Sequence, residues 1–202
     1  NALLAAAGYA PLFRGRSLDD PALAPARQAL QRLLEAHEPW PALAVDRHWN
    51  LVAANRMLPL LLQTLPAERL APPLNVLRLS LHPQGLAGMI DNLPAWREHV
   101  LGRLARQAVA SGDPVLAALH AELAALPAPA TGTGDDEAPA TDDLVVTLRL
   151  HTPFGRLDFI TMVTTFGAPH EVTLAELAVE TLLPADGATA ERLRALHATL
   201  SQ

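Results

Sequence analysis

The feature that most constrains this chain is a change of period across one low-complexity stretch. Residues 127–143 read PAPATGTGDDEAPATDD, a run of proline, alanine, glycine, threonine and acids that cannot build a core. Before it, from Asn75 to Leu126, the text is helical and interrupted. After it, LVVTLRLHT alternates, with Val145, Thr147 and Arg149 opposing Val146, Leu148 and Leu150. Both flanks need partners to bury their apolar faces. The stretch therefore reads as a mobile loop inside one domain, and 202 residues suit one sizeable core.

Upstream, Asp19, Asp20 and Pro21 open a helix in which Leu23, Ala26, Leu30, Leu33 and Leu34 recur at helical spacing up to His37. Pro39 and Pro41 stop it. ALAVDRHWNLVAAN (42–55) reads as a short hairpin turning at Asp46-Arg47-His48, and Asn55 stands as an N-cap before the apolar run 57–62. NVLRLSLHPQG is a helix ended by His82-Pro83 and Gly85. A short helix follows at Leu86 to Asn92, then a long amphipathic one from Pro94, then another opened by Asp113-Pro114. Past the low-complexity stretch, Phe154-Gly155 turns into RLDFITMVTTF, a strand rich in β-branched and aromatic residues. Gly167 to His170 is a second turn, EVTLAELAVETLLP reads as a third strand, and Asp186 caps a last helix. Helix, two strands, several helices, three strands and a helix is the order of a PAS-like α+β domain. Such a fold has an antiparallel sheet of about five strands packed with several helices, and an apolar pocket between the layers.

Composition removes several classes. Half of the chain is apolar and 18% is charged, which is a globular balance. Only 4% is aromatic, so leucine, alanine and valine do the packing and the interior is pliable. The net charge is -6 with no dense Lys/Arg run, which argues against tight nucleic-acid binding by these residues. No cysteine is present, so disulfides, thiolate zinc sites and cysteine nucleophiles are excluded. NALLAAAGYAPLF is short and is interrupted by RGRSLDD, so it reads as neither a membrane span nor a signal peptide. His99, His120, His151, His170 and His197 lack a metal-ligand spacing, and Ser17, Ser80, Ser111 and Ser201 lack a nucleophile-elbow context. Asp158, between Leu157 and Phe159, is expected to face solvent. No catalytic residue, metal or cofactor is expected.

Three long blocks carry a family resemblance: HEPWPALAVDRHWNLVAAN (37–55), NVLRLSLHPQGLAGMIDNLPAWREHVLGRL (75–104) and LRLHTPFGRLDFITMVTTFGAPHEVTLAELAVETLLPAD (148–186). In this order they resemble the MmyB-like ligand-binding domain that follows an XRE-type helix-turn-helix in bacterial transcription regulators. The similarity runs over roughly residues 20 to 197. Residues 1–16 read as a helix tail with an exit turn at Gly8 and Pro11, and resemble the linker leaving a helix-turn-helix domain that is absent here. Residues 17–202 are then the PAS-like domain. The resemblance implies a cytoplasmic, non-enzymatic effector sensor for a small hydrophobic, fatty-acid-like ligand. It also implies a homodimer, no membrane partner, and contact with DNA only through the missing N-terminal domain. The alternative is a ligand-free dimerisation module using the helices at 20–37 and 94–110. A hydrolase would need a polar, water-accessible cluster in the pocket.

Candidate ligand contacts follow from the side chains available. Arg78, Arg97 and Arg103 lie on amphipathic helices, where one facing the pocket would clamp a carboxylate and one facing out would pair locally. His82 would hydrogen-bond a polar head, or else close its own helix end. Asn92 stands beside a helix boundary, which capping explains, and beside the Trp96 segment, which makes it a pocket candidate. Met89, Trp96, Phe159, Thr161 and Phe166 would line an aliphatic cavity or fill the core. The expected ligand-binding set is Arg78, His82, Met89, Asn92, Trp96, Arg97, Phe159, Thr161 and Phe166.

Overall fold

The computed structural model of the protein describes residues 21–127, 146–165 and 176–200. The helix tail expected at 1–16, the expected loop beyond Pro127, Phe166 and the turn expected at Gly167–His170 lie outside the described residues. The chain opens with a 3-10 turn, Pro21–Leu23, that leads into α1, Ala24–Ala36. A hairpin follows, β1 (Ala42–Val45) and β2 (Leu51–Ala54), then α2 (Met57–Leu62) and α3 (Val76–Leu81). The long α4 (Leu93–Ser111) and α5 (Pro114–Ala124) complete the helical insertion. The chain ends with β3 (Leu148–Thr152), β4 (Gly155–Thr165), β5 (Ala178–Pro184) and α6 (Gly187–Thr199).

The strands form one sheet in the order β2-β1-β5-β4-β3, and every neighbouring pair is antiparallel. A hairpin, a helical insertion and a three-stranded meander joined in this order make a PAS-like α+β fold. The meander begins with a two-residue turn at Pro153-Phe154. Gly155 follows at φ +98, a conformation in which a side chain is strained, and an added Cβ would stand 3.2 Å from Arg192 Nε. Thr152 Oγ1 donates to Gly155 O at 2.7 Å and steadies the turn.

Alternation sorts the strands onto two faces. Leu43, Val45, Leu148, Leu150, Leu157, Phe159 and Leu182 face the helices and join the main core, with Leu77, Val100, Leu104 and Leu119 opposite. The other face carries Ala42, Ala44 and Val179, covered by Leu30 and Leu34 of α1 in a second, smaller cluster. Leu193, fully buried on α6, reaches into the main core.

Capping locates several helix starts. Asp113 Oδ1 accepts from Val115 N at 2.9 Å and Asp186 from Thr189 N at 2.6 Å, as their positions in the sequence lead one to expect. Asn55 does more than the capping expected of it. Its Oδ1 accepts from Met57 N and Ala42 N, both at 3.2 Å, while its Nδ2 donates to Leu34 O (3.1 Å) and Trp40 O (2.8 Å). One buried amide thus joins α1, β1 and α2.

The helix expected over Leu86 to Asn92 is only a 3-10 turn at Ala87–Met89. Past it the chain turns to pair with the exposed edge of β3: Ile90 bridges Leu150 and Asp91 N donates to Arg149 O at 2.9 Å. Asn92 does not cap α4. Its Nδ2 donates to Thr147 O at 2.7 Å and its Oδ1 accepts from Arg149 N at 3.1 Å, so it blocks the sheet edge instead. Asp158 is also less open than expected. Its side chain is 15% exposed and is gripped by Arg156 at 2.8 Å.

Candidate functional site: a cavity between sheet and helices

A cavity of about 80 Å³ lies between the inner sheet face and the helical layer. The sheet contributes Leu43, Leu51, Leu148, Thr161, Glu180 and Leu182. Leu58 and Leu62 reach it from α2, Leu74 from the α2–α3 connection, and Val76, Leu77, Leu79 and Ser80 from α3. Leu86, Trp96 and Arg103 complete the wall. The lining is aliphatic because the strand phase and the helix phase both present leucine here. Trp96 is held by its Nε1, which donates to Ser80 Oγ at 2.8 Å.

One corner is charged. Glu180 stands on β5 between the apolar inner-face positions 178 and 182 and is 7% exposed. Arg103, from α4, places Nη1 3.5 Å from Glu180 Oε1. Its Cζ lies 4.3 Å from the centre of the Trp49 ring, a cation–π contact. Trp49 is fixed in turn by its Nε1, which donates to Gln107 Oε1 at 2.8 Å, and by the β1–β2 turn, which holds it at φ 67. Asp46 closes that turn, its Oδ1 accepting from His48 N (2.8 Å) and Asn50 N (2.9 Å). Burial pushes the Glu180 carboxyl up from its ordinary range, against the pull of Arg103. Burial also pushes His99 down, helped by the positive charges of Arg103 and Arg106.

Of the residues expected to meet a ligand, Trp96 and Thr161 line this cavity. Phe159 is fully buried in the core, paired with Leu148 across the strands, and does not reach the cavity wall. Met89 packs at the edge of the core, with Sδ 3.9 Å from Thr64 Oγ1. Arg78 turns outward, its Nε and Nη2 each donating to Glu122 at 2.7 Å. Arg97 finds no acid among the described residues. Its Nη2 donates to Ala124 O (2.8 Å) and Leu126 O (3.1 Å), closing the C-terminal end of α5. His82 closes α3, and its Nδ1 accepts from Gln84 N at 3.0 Å. Arg78 and His82 border a separate surface groove of about 350 Å³ with Glu68, Arg69 and Glu122.

Arg103, weighed beside Arg78 and Arg97 but left out of the expected set, is the arginine that meets a buried acid. Glu180 was not foreseen. Its signal was present: an acid in the strand text AVETLL, at the phase shared with Leu182. Among the described residues, no group of three His, Asp or Glu side chains could hold a metal ion. No described helix is long and apolar enough to cross a membrane.

The strand order, the helical insertion and the apolar cavity between the two layers define a PAS-like domain with a pocket. Residues 26–196 match the MmyB-like transcription regulator ligand binding domain, and the chain belongs to that family. Membership makes this a regulator's effector-binding domain and implies a role other than catalysis. No curated protein sequence matches the chain. Among solved structures, that of an RNA-binding light-oxygen-voltage receptor is similar at 15% identity with a TM-score of 0.36. The match covers 94% of this chain and 41% of that one, and at that score it carries no weight.

Proposed function

We propose that this domain senses a small hydrophobic, fatty-acid-like effector, for a regulator that reads DNA through a helix-turn-helix domain. The observation that carries the reading is the leucine-lined cavity between sheet and helices, with Trp96 and Arg103 in its wall. At about 80 Å³ it is smaller than the roughly 150 Å³ void that admits benzene. A long acyl chain therefore has to part the walls, and aliphatic walls with few aromatic anchors are suited to doing so.

A route for the signal is built into the strands. On β5, Glu180 and Leu182 face the cavity while Val179 packs under α1. On β1, Leu43 faces the cavity while Ala42 and Ala44 pack under the same helix. A ligand that spreads the inner face moves the seat of α1, provided it binds the two arrangements with different affinity.

The test is native mass spectrometry of the purified protein, then solvent extraction and a thermal-shift screen of aliphatic acids and alcohols. A co-purifying lipid-like molecule, or stabilisation that rises with ligand concentration, supports the reading. A clean mass together with no stabilisation by any aliphatic compound overturns it.

A second reading, a dimerisation module, draws on apolar side chains left exposed: Leu33 on α1 and Ile160 and Met162 on β4. Sedimentation equilibrium separates the two, since a dimer lost in L33E or M162E, with no ligand bound, favours this second reading.

A further inference from the structure

The charged corner of the cavity is incompletely paired. The 3.5 Å between Arg103 Nη1 and Glu180 Oε1 exceeds the roughly 2.7–2.9 Å of a strong charge-assisted hydrogen bond. Arg103 Nε is buried and has no hydrogen-bond partner among the described residues. A guanidinium presents its donors in a rigid planar fork, and the Trp49 ring holds this one in place. Buried donors are nearly always satisfied, and one that is not needs a reason. The rest of the wall is mostly aliphatic. The group that best matches a fixed fork with an idle edge is planar, anionic and carries two oxygens, which is a carboxylate.

We propose that Arg103 is the head-group anchor of the cavity, taking the carboxylate of an amphipathic acid whose apolar body lies among Leu58, Leu62, Leu79 and Leu182, and that Glu180 is the internal carboxylate this ligand displaces. The proposal rests on the effector-binding reading and names the chemistry of its ligand. Glu180 suits the part, because its contact with Arg103 is loose and burial works against its charged form, so it is a weak competitor for an incoming acid. His99, on the same helix, is held toward its neutral form and brings no competing cation.

The experiment is calorimetric titration of the purified protein with octanoate and with octan-1-ol at neutral pH. These probes share an apolar body and differ in the head. The unaltered protein is expected to bind octanoate roughly tenfold or more tightly than octanol. R103Q brings octanoate down to the level of octanol and leaves octanol unchanged. R103K keeps part of the preference, and E180Q enlarges it by removing the competing carboxylate. Equal binding of the two probes by the unaltered protein overturns the proposal, as does a preference that survives R103Q. If R103Q fails to fold, E180Q decides, and an unchanged preference there overturns it. Failure of both probes to bind strikes the effector-binding reading itself, whereas octanol binding without a preference for octanoate strikes only the role of Arg103.

Discussion

Two glutamates with covered side chains, each beside an arginine, are shifted in opposite directions. Glu38 and Glu180 have side chains 7% and 9% exposed, yet Glu38 lies just under the surface while Glu180 stands deep among core residues, so depth and pairing both separate them. Glu38 accepts from Arg56 Nη2 (2.7 Å), from Arg56 Nε and backbone N (both 3.2 Å), and stands 2.9 Å from His197 Nε2. These contacts, led by the Arg56 side chain, lower its carboxyl to about 2. Glu180 has one loose arginine contact, and burial wins. The first glutamate sits where α1, α2 and α6 meet, and there a fully satisfied charge fixes the frame. The second sits in the cavity, and there an under-satisfied pair leaves a place for something else. The difference lies in depth of burial together with hydrogen-bond count and geometry, not in residue type.

The comparison breaks first if the frame proves soft. Asn55 serves the same junction as Glu38, and N55A leaves Leu34 O, Trp40 O and Ala42 N without their side-chain partner in a buried place. Leu34 O keeps its bond from His37 N, so at about 1–3 kcal/mol for each of the other two groups the loss is roughly 2–4 kcal/mol. Urea unfolding checks it, and a midpoint shift worth less than about 1 kcal/mol would show that the junction is not what holds α1 to the sheet.

E38Q comes next, with an expected loss of about 2 kcal/mol at neutral pH. The sign with pH follows from the lowered carboxyl. The folded form holds Glu38 ionised down to about 2, while the unfolded chain protonates it near 4.5. Its contribution is therefore full above about 4.5 and fades as pH falls toward 2. Unfolding curves of the two proteins should accordingly converge in acid. A gap that persists at the acid end would mean that shape, not charge, holds the junction.

How much of this was legible follows from which forces act locally. The two periods, the β1–β2 hairpin and the Asp113 and Asp186 caps depend on neighbouring residues, and the sequence carries them openly. Asn92 misled because an asparagine beside a helix start looks like a cap, and only the tertiary fold brings the β3 edge to it. Long side chains misled for a related reason. Helical phase tells which face an arginine leaves from, but not whether it finds Glu122, as Arg78 does, or helix-end carbonyls, as Arg97 does. The pairing of Arg103 with Glu180 joins α4 to β5 through the fold alone. Strand phase could have placed Glu180 inward, and no local rule could have named its partner.

On the cavity side the effects on stability are smaller. The double variant R103M/E180L replaces a loose buried pair with apolar groups, and such replacements are often neutral or stabilising. A change within about 1 kcal/mol is expected, with loss of the octanoate preference. A large loss of stability would place Arg103 and Glu180 with Glu38, as parts of the frame, and would erase the distinction drawn between the two regions.

R78Q should do least. Arg78 and Glu122 are 49% and 48% exposed, so water screens the pair and the side chains pay entropy to hold it. Despite two contacts at 2.7 Å, the expected cost is about 0.5 kcal/mol or less, and added salt should erase it. Octanoate binding should not change, because Arg78 faces the surface groove with His82 and not the cavity. This variant is also the sharpest control on location. If R78Q weakens octanoate binding while R103Q does not, the acid sits in the groove of about 350 Å³ outside the core. The arginine already paired with an exposed acid would then be the sensor, and the idle donor inside would be part of the packing.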